Sequence, residues 1–253
     1  MNSKHKITKK FVFLYIHSVD MNTTENPTTS DNSIIHLRNV ALSHSDGPLL
    51  KEVNLDIAKG EFVYLIGKSG AGKTSLMRSL YADHKIDSGE AVVCGFDLMH
   101  IKRRQIPMLR RQIGIVFQNY RLLKDRNVYE NLAFVLRATG WKDRSEIDSR
   151  IMKTLENVGI SDKAQAMPYQ MSEGEQQRVG IARALINNPT LILADEATGN
   201  MDPITSSEII ELLQSINRNE GVTMLIASHD FMMIDKFPSR VICCEEGTLV
   251  CPQ

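Results

Sequence analysis

Gly67-Lys68-Ser69-Gly70-Ala71-Gly72-Lys73-Thr74 fits the pattern G-x-x-x-x-G-K-[ST] of a phosphate-binding loop. The glycines let the backbone wrap closely around a phosphate, with N–H groups pointing inward. Phe62 to Ile66 before it is an apolar run of the strand type, and Lys73 to Ala82 after it reads as a helix. Strand, glycine-rich turn and helix in that order set the positive end of the helix against the anion. Lys73 then reaches the β- and γ-phosphates, Thr74 suits Mg²⁺, and Gly67 through Ser75 form the cradle.

Outward from this loop, Ile113–Phe117, Leu191–Ala194 and Thr223–Ala227 are short apolar runs of the kind that buried parallel strands show, and Val53–Ile57 is a further strand. The run at Leu191 ends in Asp195 and Glu196. Behind a phosphate loop, the first carboxylate suits a Mg²⁺ position reached through Thr74 or water, and the second a base that orients attacking water. His229 follows the run Thr223–Ala227. Asp143 with Glu146 makes a capping box for a helix whose Ile147, Ile151, Leu155 and Val158 share one face. Ile209, Ile210, Leu213 and Ile216 repeat that spacing after Pro203. The alternation gives an α/β domain over residues 34–250, with a helical insert at about 126–187.

Thirty Lys and Arg balance thirty Asp and Glu. Zero net charge argues against a nucleic-acid binder working through a broadly basic surface. The longest apolar run, Phe11 to Ile16, is far short of the roughly 20 residues that a membrane-spanning helix needs. Residues 1–33 read as a disordered extension or as a start assigned too early, with Met21 the alternative first residue. Cys94, Cys243, Cys244 and Cys251 show no zinc-type spacing and read as free thiols of a reducing compartment.

Taken in this order, the motifs resemble those of the ATP-binding-cassette ATPases, over residues 34–250. Gln118 matches the Q-loop glutamine, and Met171-Ser172-Glu173-Gly174-Glu175-Gln176-Gln177-Arg178 matches the signature motif. Gly199-Asn200-Met201-Asp202 matches the D-loop and His229 the switch histidine. The resemblance implies an α/β P-loop NTPase fold with an antiparallel β subdomain and a helical subdomain. It implies ATP and Mg²⁺ as cofactors, Glu196, His229 and Gln118 as catalytic residues, and Thr74, Gln118 and Asp195 around the metal. It also implies a head-to-tail homodimer that sandwiches ATP, with Ser172 and Gly174 of one subunit facing the nucleotide of the other. Three positions depart from the pattern. Glu173 replaces the first signature glycine, Ala197 replaces the proline usual after the catalytic glutamate, and His44 stands where an aromatic ring stacks on adenine.

The finer resemblance is to the FtsE-type cell-division branch. It rests on Leu109-Arg110-Arg111-Gln112-Ile113-Gly114 leading into Phe117-Gln118, and on Leu122-Leu123-Lys124-Asp125-Arg126-Asn127-Val128-Tyr129-Glu130-Asn131. That branch implies an integral membrane partner of the FtsX type, with the ATPase peripheral on the cytoplasmic face of the inner membrane. The pair would control cell-wall hydrolases instead of moving a solute. Tyr120, Leu122 and Leu123 are the expected apolar contact for that partner. Two alternatives stand beside this one: the ATPase of a lipoprotein-release or macrolide-export transporter, and an ATP-gated binding module that hardly hydrolyses, which Glu173 supports.

Overall fold

The computed structural model describes residues 32–44, 47–199 and 201–250. The expected extension before residue 32, Asn200 of the D-loop match and Cys251 lie outside them.

Two sheets organise the chain. Strands β1 (Ser33–His44), β2 (Gly47–Ala58), β4 (Ser88–Val93) and β5 (Phe96–Asp97) form an antiparallel sheet in the order β2-β1-β4-β5. The second sheet holds β3 (Phe62–Gly67), β6 (Ile113–Phe117), β7 (Leu191–Asp195), β8 (Thr223–Ser228), β9 (Arg240–Glu245) and β10 (Thr248–Val250). Its order is β10-β9-β3-β8-β7-β6, all parallel except β10, which returns antiparallel on β9. The helices are α1 (Lys73–Leu80), α2 (Ile106–Arg111), α3 (Val128–Ala138), α4 (Arg144–Asn157), α5 (Glu173–Leu185), α6 (Pro203–Glu220) and α7 (Phe231–Lys236).

The parallel strands are continuously apolar because both of their faces are covered. Successive side chains point to opposite faces, so each strand feeds two cores. Tyr64, Ile192, Ala194, Met224 and Ile226 face a core shared with α3, α4, α5 and α6. Val63, Leu65, Leu193, Leu225 and Ile242 face the other, shared with α1 and the antiparallel sheet. Full burial of one such large side chain contributes about 1.5–3 kcal/mol. Alternation around the central strand β3 is thus what locks its register.

Between β6 and β7 the chain makes α3, α4 and α5. Asp143 caps α4 by accepting from the Glu146 N–H at 2.9 Å. A fully reciprocal capping box forms at α5: Ser172 Oγ accepts from the Glu175 N–H, and Glu175 Oε2 accepts from the Ser172 N–H at 2.8 Å. Among the described residues no helix is long and apolar enough to cross a membrane.

Candidate functional site

The parallel sheet brings the carboxyl ends of β3, β6, β7 and β8 level. Ile66 pairs with Ser228, Asp195 with Ala227, and Phe117 with Asp195. In open α/β sheets a ligand crevice opens at this edge. Here it is a cleft of about 690 Å³, floored by Gly67 to Ala71 and walled by Glu196, His229 and Phe231 on one side and Cys243 to Gly247 on the other.

The floor is the glycine-rich loop between β3 and α1. Gly67 has φ 153, and a side chain there would begin 2.4 Å from the Cys244 carbonyl oxygen of β9. Only glycine lets the loop leave the sheet so close to its neighbour. α1 starts at Gly72 with no side-chain cap and no acidic residue in its first turn, which leaves its positive end turned to the cleft. Lys73 is 6% exposed. Its Nζ donates to the carbonyls of Gly67 at 2.7 Å and Lys68 at 3.1 Å. Lys68, Ser69 and Gly70 are exposed on the loop, while Ala71, Gly72 and Ser75 are half-buried.

Two side-chain pairs stand at this edge of the sheet, Thr74–Asp195 beside the cleft and His229–Glu196 in its wall. Thr74 Oγ1 donates to Asp195 Oδ1 at 3.2 Å. Burial pushes the Asp195 carboxyl above its ordinary pKa; the Thr74 hydroxyl opposes that, and the Glu196 charge adds to it. The second pair is His229 Nδ1 and Glu196 Oε1, also 3.2 Å apart. Glu196 has φ 51, a left-handed backbone that costs a non-glycine residue about 1–3 kcal/mol. The turn is fixed by the Glu196 N–H donating to Ala227 O at 3.0 Å and the Gly199 N–H donating to Glu196 O at 3.0 Å.

Gln118 closes β6 and lies against the D-loop match, where a side chain on Gly199 would begin 2.9 Å from Gln118 Nε2. Ser172 and Gly174 open α5 and do not line the cleft of their own chain. His44 also stands outside the cleft; it is exposed and stacks on His84, with ring centroids 6.2 Å apart. Tyr120, Leu122 and Leu123 are half-buried, and Leu122 packs against the helical core.

Arg183 and Arg121 have no sequence signal, and the signature match includes Gln177 without its bond to the turn after β7. Arg183 of α5 donates to the carbonyls of Tyr120, at 2.7 Å, and Arg121, which clamps two residues that both have φ 49. Arg121 lays its guanidinium 4.2 Å above the Phe117 ring. Gln177 donates to Ala197 O at 2.7 Å. Its signal was present: Gln177 interrupts the otherwise nonpolar stripe Gly180, Ile181 and Ala184 on α5.

Comparison with known proteins agrees with this geometry. The ABC transporter family model matches residues 50–199. The cell division ATP-binding protein FtsE of Streptococcus pneumoniae is 44% identical over 219 residues, covering 86% of this chain and 94% of its own. FtsE of Mycobacterium tuberculosis is 47% identical over 203 residues, covering 80% and 87%. Among solved structures, the dimeric ATP-binding cassette MJ0796 in a post-hydrolysis state bound to ADP and Pi superposes with a TM-score of 0.76 at 32% identity, covering 87% of this chain and 99% of that one. A cassette of this family that binds and hydrolyses ATP, the chain belongs to the ABC transporter family and, within it, to the FtsE cell-division ATP-binding proteins.

Proposed function

We propose that the chain is the ATPase of a complex with an FtsX-type integral membrane protein, peripheral on the cytoplasmic face of the inner membrane, where two copies close head-to-tail on two ATP and control cell-wall hydrolases outside. One observation carries the chemistry. The pairs Thr74–Asp195 and Glu196–His229 converge at the ends of β7 and β8, beside the phosphate loop. The identity to FtsE proteins supports the biological setting over lipoprotein or macrolide export.

Residue roles follow from this geometry. Phosphate oxygens take over the Lys73 ammonium from the Gly67 and Lys68 carbonyls, and the first-turn amides of α1 hold the same anion. The Thr74 hydroxyl and Asp195 carboxylate are adjacent hard oxygens, a donor set suited to Mg²⁺ when phosphates and water complete it. Gln118 would join them. Thr74 and Asp195 would hold Mg²⁺ there, and the ion would supply charge neutralisation for the phosphoryl group during hydrolysis. Glu196 holds the attacking water and takes its proton, while His229 Nδ1 fixes the Glu196 carboxylate. Ser172 and Gly174 reach the nucleotide of the second subunit, which accounts for their distance from the cleft of their own. His44, exposed and stacked on His84 outside this cleft, is assigned to the adenine side by the family pattern alone.

Slow hydrolysis without the partner is a second reading, favoured by Glu173. It is exposed at the first position of α5, and among the described residues no lysine or arginine pairs with it. Its neighbour Glu175 is instead held by the capping box and by Lys163 at 3.4 Å. Co-expression with an FtsX-type membrane protein, co-purification and ATPase assay test the proposal. Retention of the complex with stimulated turnover is expected. A chain that hydrolyses ATP but never co-purifies would overturn the partner assignment.

A further inference from the structure

We infer that Gln177 is a positioning residue, which holds the backbone carrying Glu196 and ties it to the helix that begins at Ser172. The inference rests on the reading of Glu196 as the base.

Gln177 lies about one turn into α5 and has no exposed surface. Its Nε2 donates to Ala197 O at 2.7 Å, and Ala197 directly follows Glu196. The Glu196 turn is therefore fastened to the sheet at Ala227, to itself at Gly199, and to α5 through Gln177. The left-handed backbone at Glu196 makes such fastening necessary, because a strained turn persists only where its surroundings hold it. Alanine at 197 adds to the need. Proline, the usual residue there in the family pattern, fixes φ by its ring, and alanine does not.

The other end of the amide shows that packing does not account for the residue. Gln177 Oε1 is buried and has no hydrogen-bond partner among the described residues. Turning the amide over would set an acceptor against the Ala197 carbonyl, so this bond dictates the orientation. Leucine or methionine would fill similar space and remove the orphan Oε1, but would leave Ala197 O without its donor, so what the amide adds beyond packing is the bond to Ala197. The orphan oxygen is the cost of keeping a donor on Ala197. Because α5 also carries Ser172 at its start, a shift of that end against a second subunit is delivered through Gln177 to the turn bearing Glu196.

The test compares Gln177→Leu, Gln177→Met and Gln177→Glu in the full chain, alone and with its membrane partner, with Glu196→Gln in parallel. For the Leu and Met variants kcat is expected to fall at least about tenfold, since small misplacement of a catalytic group costs that much. KM for ATP should stay within about twofold, and Tm should fall only modestly, because Ala197 O loses its donor while the orphan Oε1 is removed. The carboxyl introduced by Gln177→Glu is buried, so it stays protonated near pH 6 and donates the same bond. That variant should approach the parent rate at about pH 6 and lose it by about pH 9. Parent-like kcat in the Leu and Met variants, or a loss of kcat matched by losses of Tm and ATP affinity, would overturn the role. An inactive Glu196→Gln beside a fully active Gln177→Leu would overturn the positioning role alone. A fully active Glu196→Gln would mean that the reading of the base had failed.

Discussion

Thr74 and Asp195 stand 121 residues apart in sequence, and the Thr74 hydroxyl donates to Asp195 Oδ1 at 3.2 Å. The contact exists because β7 ends level with the phosphate loop, one strand away across β8. It places a carboxylate where it is poorly solvated until a cation arrives.

That placement gives a pH-dependent consequence. Burial raises the Asp195 pKa above its ordinary value, even with the Thr74 hydroxyl opposing. A carboxyl whose folded pKa lies above its unfolded one favours the folded state fully below the unfolded value, and this is lost as pH rises through the folded value. At pH 7 the ionised group is therefore a cost to stability. Asp195→Asn keeps an acceptor for Thr74 and is expected to raise Tm of the nucleotide-free protein at pH 7. The gain should shrink as pH falls through the raised pKa, and Mg²⁺-dependent ATPase should drop at least about tenfold. Melting curves across this range check it; a lower Tm at pH 7 contradicts it.

Lys73→Ala removes an ammonium that the loop holds on two carbonyls. A charge-assisted bond to phosphate is worth about 1.5–3 kcal/mol, so ATP affinity should fall at least about tenfold. Calorimetric titration measures this, and unchanged affinity would remove the loop from the binding site.

Glu173 has no counter-ion among the described residues. A carboxylate about 6 Å from a phosphate charge costs roughly 2–3 kcal/mol at an effective dielectric near 20. Glu173→Gly should raise partner-free ATPase several-fold, more at low salt than at high. Equal rates for parent and variant at both ionic strengths would make Glu173 a tolerated surface residue.

Tyr120 and Leu123 are half-buried just past Gln118, on a segment that Arg183 clamps at Tyr120 and Arg121, and that Asn131 holds at Leu123. Replacing both with Asp should abolish co-purification with the membrane partner while leaving ATP affinity within about twofold. The clamp acts on the carbonyls and survives the change of side chain. A retained complex would move the docking surface elsewhere.

The sequence made the parallel sheet legible because buried strands are continuous apolar runs. Ile113–Phe117 matches β6 end for end, and Leu191–Ala194 falls one residue short of β7. The antiparallel strands β1, β4 and β5 were hidden. β1 carries Arg38 and Asn39 and has register shifts against β2, which break the period-2 pattern. β9 ran unread into β10, although Glu246-Gly247 marks their turn with φ values of 51 and 77. Phosphate-loop chemistry was legible because each residue type has one role at fixed spacing. Gln177 stands out as a polar break in the stripe of α5, but its partner, a backbone carbonyl 20 residues away, is encoded by no side-chain pattern.

Glu196→Gln separates ATP binding from hydrolysis. The variant keeps the size and the contact with His229 Nδ1 but lacks the base. Its steady-state ATPase, measured with the membrane partner present, should fall at least about a hundredfold, and with saturating ATP and Mg²⁺ the protein should be recovered as a nucleotide-filled dimer. Turnover at the parent rate, or a protein that remains monomeric under those conditions, would contradict the assignment of hydrolysis to this residue.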